Sequence, residues 1–79
     1  MIMEPTQEIF NEMRKAAISI WRDCDNRFGY ATEKIKRVNS IENVSDNAMV
    51  FYRMFDHWNK QLMVSKLSEE AINYINSNK

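Results

Sequence analysis

Residues 7–28 read QEIFNEMRKAAISIWRDCDNRF, and in them Ile9, Phe10, Met13, Ala16, Ala17, Ile20, Trp21, Cys24 and Phe28 recur at three- and four-residue intervals. That spacing draws one apolar stripe down an α-helix and leaves the other flank to charged and polar side chains. Thr6, directly after Pro5, is placed to cap the start, Glu8 suits the positive end of the helix dipole, and Gly29 stands where a left-handed residue would close the far end. The spacing therefore predicts a long amphipathic first helix over 7–28, about 33 Å at 1.5 Å per residue.

Working outward, Thr32 is a cap for a shorter second helix over 33–42, with Ile35, Val38 and Ile41 inward and Lys34, Lys36 and Arg37 outward. The Asn/Ser-rich stretch 39–43 breaks that pattern. Ser45 is then a fresh N-cap, with Val44 positioned to staple against Met49, and Ser68 repeats the arrangement with Leu67 against Ile72. Between the two starts, Met49, Val50, Phe51, Tyr52, Met54, Phe55, Trp58, Leu62, Met63 and Val64 make a third helix over 46–65 apolar around much of its circumference. Such a helix is either enclosed by its neighbours or offers its spare face to another protein. A fourth helix over 69–76 carries Ala71, Ile72 and Ile75 on its inner side.

Composition agrees with helices alone. The chain has 79 residues with a single Gly and a single Pro, too little turn chemistry for hairpins, Greek keys or phosphate-cradling loops. The length suits one domain with one core, and 44% hydrophobic residues are generous for it. The expected fold is all-α: a single-domain bundle of three to four helices over residues 1–79. Lys plus Arg and Asp plus Glu both total 11, and neither half of the chain departs from that balance. A strong field of one sign, as autonomous binding to DNA or an anionic membrane requires, is lacking, so nucleic acid enters only indirectly. The single Cys cannot form an internal disulfide, no apolar run approaches the ~20 residues of a membrane span, and the N-terminus has no signal-peptide core. A cytoplasmic protein is expected.

Chemistry-bearing residues are sparse. His57 is the only histidine; a metal site would have to recruit Asp56, Cys24 and a further carboxylate from separate helices, without a ligand-spacing motif. Asp23 and Asp25 flank Cys24 and suppress its thiolate, which suits a core thiol. Glu69 and Glu70 belong to a first helical turn. With no Ser-His-Asp order, Gly-rich loop or Cys-x-x-Cys, the expectation is a non-enzymatic protein with no cofactor and no metal. Lys34, Lys36 and Arg37 form the one local basic cluster, either a solvated helix face or a contact for phosphates or an acidic partner. Trp21, Trp58, Phe51 and Phe55 are stacking platforms in one reading and core in the other, and a helical chain favours core. Met13, Met49, Met54 and Met63 would offer an adaptable surface if exposed.

The third helix also resembles a known family. Ser45-Asp46-Asn47, Val50-Phe51-Tyr52, Asp56-His57, Leu62 and Lys66-Leu67 resemble the corresponding helix of the Hha/YmoA proteins, ungapped over 50–67 after a one-residue deletion. Arg37-Val38 and residues 6–20, with Phe10 and Arg14-Lys15, can be laid on the same pattern. The resemblance implies a four-helix α domain that binds the N-terminal dimerisation region of the nucleoid protein H-NS, strengthens silencing of foreign genes and has little DNA affinity of its own. It places Asp56 at an acidic position implicated in that contact, with His57 beside it. A carboxylate on an apolar helix can orient a partner's Arg, or it can pair with Lys60 or Arg53 on its own helix. Scattered positions near Arg53, His57 and Ser65-Lys66-Leu67 also resemble the theta subunit of DNA polymerase III. The function expected is thus a protein-binding modulator of gene expression contacting an H-NS-like regulator through Asp56, His57, Arg53 and Tyr52. The alternatives are a helical accessory or inhibitor subunit, theta-like or phage-encoded, and a homo-oligomer joined through the first helix.

Overall fold

The Ile9 N–H donates to Thr6 Oγ1 at 3.1 Å, so the cap read from sequence starts α1 (Gln7–Ser19). The structure, a computed structural model, describes residues 4–24 and 31–79. α1 is shorter than the stripe suggested: 13 residues, about 20 Å. From Ile20 to Cys24 the chain continues as a π turn. Widening the turn narrows the angle between successive side chains, and here the neighbours Ile20 and Trp21 are both buried. The expected end of the first helix, with Phe28 and Gly29, lies outside the described residues, as does the Cys24 side chain.

α2 (Ala31–Ser40) starts earlier than expected, so Thr32 sits inside the first turn and does not cap it. Val38 is buried, Ile35 packs against the core, and Ser40 Oγ donates to the Arg37 carbonyl at 2.7 Å near the exit. Ser45 is not an N-cap either. A 3-10 turn (Ser45–Asn47) leads into α3 (Ala48–Arg53), and Asn47 ties it back through its N–H to the Val44 carbonyl and its Nδ2 to the Glu42 carbonyl, both at 2.9 Å. With the Asn47 N–H given to the Val44 carbonyl and the Ala48 N–H to the Ser45 carbonyl, the Ser45 hydroxyl has no capping role, and Val44 is 43% exposed, not drawn into a staple.

The larger correction concerns the third helix, which is two helices. α3 stops at Arg53; Met54 and Phe55 turn, Asp56 adopts an extended backbone with ψ of 177°, and α4 (His57–Lys66) begins afresh. In an unbroken helix Phe51, Phe55, Trp58 and Leu62 would share one face. The break changes the phase, so Phe55, Asn59 and Met63 point inward and Trp58 points out. α5 (Glu69–Asn78) then starts where expected, with the Ala71 N–H on Ser68 Oγ at 3.3 Å.

The described residues form five α-helices, one more than the three to four expected at most, in an all-α arrangement with no strand among them. α1 is the hub: it packs against α2, α3, α4 and α5. The described part of the stripe, Ile9, Phe10, Met13, Ala16, Ala17, Ile20 and Trp21, is buried. Phe10 and Phe51 meet edge to face with centroids 5.0 Å apart, and Trp21 leans on Phe55 at 4.8 Å. Glu12 of α1 holds the start of α5, its carboxylate accepting from the Ser68 N–H and, at 2.9 Å, from the Ser68 hydroxyl. That places a negative charge at a helix N-terminus.

Candidate functional site

The residues singled out from sequence gather around the α3–α4 break, and most prove to be engaged within the chain. Asp56 Oδ1 accepts from the Asn59 N–H at 2.9 Å, while its carbonyl receives the Lys60 N–H at 2.9 Å. Asp56 is thus the N-cap of α4, and neither Lys60 nor Arg53 is its ion-pair partner. Arg53 donates from a guanidinium nitrogen to the Asn78 carbonyl at 3.3 Å, satisfying a backbone acceptor at the end of α5. Tyr52 is half-buried beneath Lys60, whose Nζ lies 5.3 Å from the ring centroid. Beneath them Tyr74 is buried, and that burial raises its phenol pKa; the Arg53 charge opposes the shift.

Arg53 and Asp56 are exposed although bonded within the chain, and two further side chains of this region face water. His57 is exposed at the first position of α4, and Trp58 beside it is 72% exposed. Trp58 was expected in the core, and its exposure follows from the rephasing at Asp56. Helical spacing puts Trp58, Gln61, Leu62 and Ser65 on one flank of α4. Of these, Leu62 is half-buried and the two polar residues are exposed. The flank is therefore an aromatic ring and the edge of a leucine bordered by neutral polar groups. Val50 of α3 is 42% exposed as well. A large indole in water on a helix whose start is pinned by a cap can bury apolar area against a partner without ordering a loop first, and its ring N–H can donate.

The methionine surface is not there: Met13, Met49 and Met63 are buried and Met54 is half-buried. The basic cluster is divided. Lys34 places Nζ 5.4 Å from the Trp21 ring centroid, whereas Lys36 and Arg37 are exposed on α2. Trp21 is buried with no acceptor for its Nε1–H among the described residues. Among those residues no three His, Cys, Asp or Glu converge as metal ligands. No helix among them is long and apolar enough to cross a membrane.

Sequence reasoning did not name Trp58 among the contact residues, because apolar periodicity across 46–65 favoured the core for it. The signal available was Asp56 itself, an N-cap residue type between two apolar runs. Compared with family models, with curated proteins and with solved structures, the chain matches none.

Proposed function

We propose that this protein is a non-enzymatic binding module that modulates another protein by docking the first turns of α4 against it, with Trp58 as the anchor and His57 at its edge. The observation that carries this reading is the 72% exposure of Trp58 on a capped helix. Exposed tryptophans that become enclosed on binding are the residue type most enriched among interface hot spots, because one ring removes a large apolar area from water and loses little side-chain entropy. Asp56 acts here as a positioning residue: its cap fixes where α4 starts and so where the indole stands. The resemblance over 50–67 makes an H-NS-like regulator the first partner to test, and regulation of gene expression in the bacterial cytoplasm the first setting.

The test is a fluorescence titration of the Trp21→Phe variant, in which Trp58 is the remaining indole, with the N-terminal dimerisation region of H-NS. Binding should shift Trp58 emission to the blue, and Trp58→Ala should weaken affinity about thirtyfold or more, the scale of a hot-spot truncation. Absence of binding removes H-NS as the partner. Binding that is indifferent to Trp58→Ala removes α4 as the docking surface. An accessory or inhibitor role toward another complex would use the same face, and retention of such a complex by the wild type and not by Trp58→Ala would identify it.

A further inference from the structure

Away from Trp58, the end of α1 and the last turn of α4 enclose a shallow groove of about 440 Å³. Its floor is formed by the edge of Ala16, the half-buried Ile18 and the hydroxyl-bearing Ser19, and its rim carries Lys15, Arg22 and Lys66. One carboxylate, Glu12, lines it and is committed to the start of α5; Asp23, next to Arg22 and outside the lining, is committed to that guanidinium through two 3.0 Å hydrogen bonds. The Arg22 bond holds the Asp23 carboxyl below its usual pKa, and Lys66 adds to that through space. Lys15 and Lys66, by contrast, make no hydrogen bond or ion pair among the described residues. Two cations without a bonded partner therefore flank a floor whose apolar part is Ala16 and Ile18.

We propose that this groove docks an acidic amphipathic helix of a partner protein, with carboxylates meeting Lys15 and Lys66 and an aliphatic side chain resting on Ala16 and Ile18. Charge complementarity selects this occupant. The floor rewards an apolar residue, and Lys15 and Lys66 reward discrete negative charges on either side of it. A nucleic-acid backbone fits worse, because a continuous row of phosphates along α1 would run against Glu12 at one end and Asp23 at the other. The lining residues from Glu12 to Ser19 span about 10 Å of α1, with Arg22 on the π turn beyond, so the groove matches about two turns of a partner helix.

The probe is a fluorescently labelled helical peptide of about fourteen residues, with glutamates flanking a leucine stripe, read by anisotropy at two salt concentrations. Wild-type protein should bind it about tenfold or more tightly than the same peptide with every Glu replaced by Gln, and added salt should weaken binding. Lys15→Glu with Lys66→Glu should lose about tenfold or more, as should Ile18→Asp, with helical circular dichroism unchanged. Lys36→Glu with Lys79→Glu, an equal charge change elsewhere on the surface, should alter affinity less than about twofold. Three results would each overturn the proposal: no preference for the glutamate peptide, equal losses in the two double variants, or equally tight binding of a DNA duplex at matched salt.

Discussion

Replacing Asp56 by alanine removes the hydrogen bond that the Asn59 N–H donates at 2.9 Å and leaves that first-turn donor to water. Loss of an N-cap of this kind costs about 1 kcal/mol, or about fivefold in the folding equilibrium. For a domain of 60–100 residues that is a fall in Tm of about 4–8 °C. Asparagine caps about as well as aspartate, so Asp56→Asn should retain most of the stability and forfeit only the favourable charge at the helix start, a few tenths of a kcal/mol. The assay is thermal unfolding of wild type, Asp56→Ala and Asp56→Asn by circular dichroism, with partner affinity measured on the same samples below the melt. The expected pattern is a clear drop in Tm for alanine, a small one for asparagine, and binding by Asp56→Asn within about twofold of wild type. If alanine leaves Tm unchanged, or asparagine matches alanine in Tm, Asp56 does not act as the cap. If Asp56→Asn abolishes binding at full stability, the carboxylate is itself the contact and the emphasis on Trp58 is misplaced.

Three further outcomes follow from the packing and the titrating groups. Phe51 is fully buried against Phe10, so Phe51→Ala should cost about 3–5 kcal/mol, against a total on the order of 4–12 kcal/mol for a chain of this length; urea unfolding should show most of the stability gone. Glu12→Ala and Ser68→Ala should be non-additive, because Glu12 bonds the Ser68 hydroxyl that also caps α5, and a double-mutant cycle should return a coupling of about 0.5 kcal/mol or more. Burial raises the Tyr74 pKa, so between the unfolded pKa of about 10 and the higher folded value the native state keeps a proton that the unfolded state has lost; stability should fall as pH rises through that window, and Tyr74→Phe should flatten the decline in an alkaline melt series.

What could be read in the chain alone was whatever one turn of backbone decides. Thr6 and Ser68 are caps because the donors they satisfy lie three residues ahead, and the α1 stripe is buried because periodicity and burial there coincide. The α3–α4 break was not legible from apolar spacing. Residues 49–64 are apolar often enough to sustain a continuous helix on paper, and the stripe actually used by α4 passes through Asn59, a buried polar residue between Phe55 and Met63. Apolar spacing alone does not distinguish that phase from the one that hides Trp58; the cap residue Asp56 is what marks it. Thr32 and Ser45 show the opposite error, good cap residues at places where the chain had begun its turn by other means. The same break explains the shift within the site: Asp56, Arg53 and Tyr52 serve the fold, and the neighbouring Trp58 takes the exposed position.

The most direct measurement is the solvent accessibility of the two indoles, taken one at a time in Trp21→Phe and Trp58→Phe by emission wavelength and acrylamide quenching. A chain broken at Asp56 predicts red, water-like emission and fast quenching from Trp58, with blue, protected emission from Trp21. Blue and protected emission from Trp58 in the free protein would mean that α3 and α4 hold the ring inside, and that the surface proposed for docking does not exist.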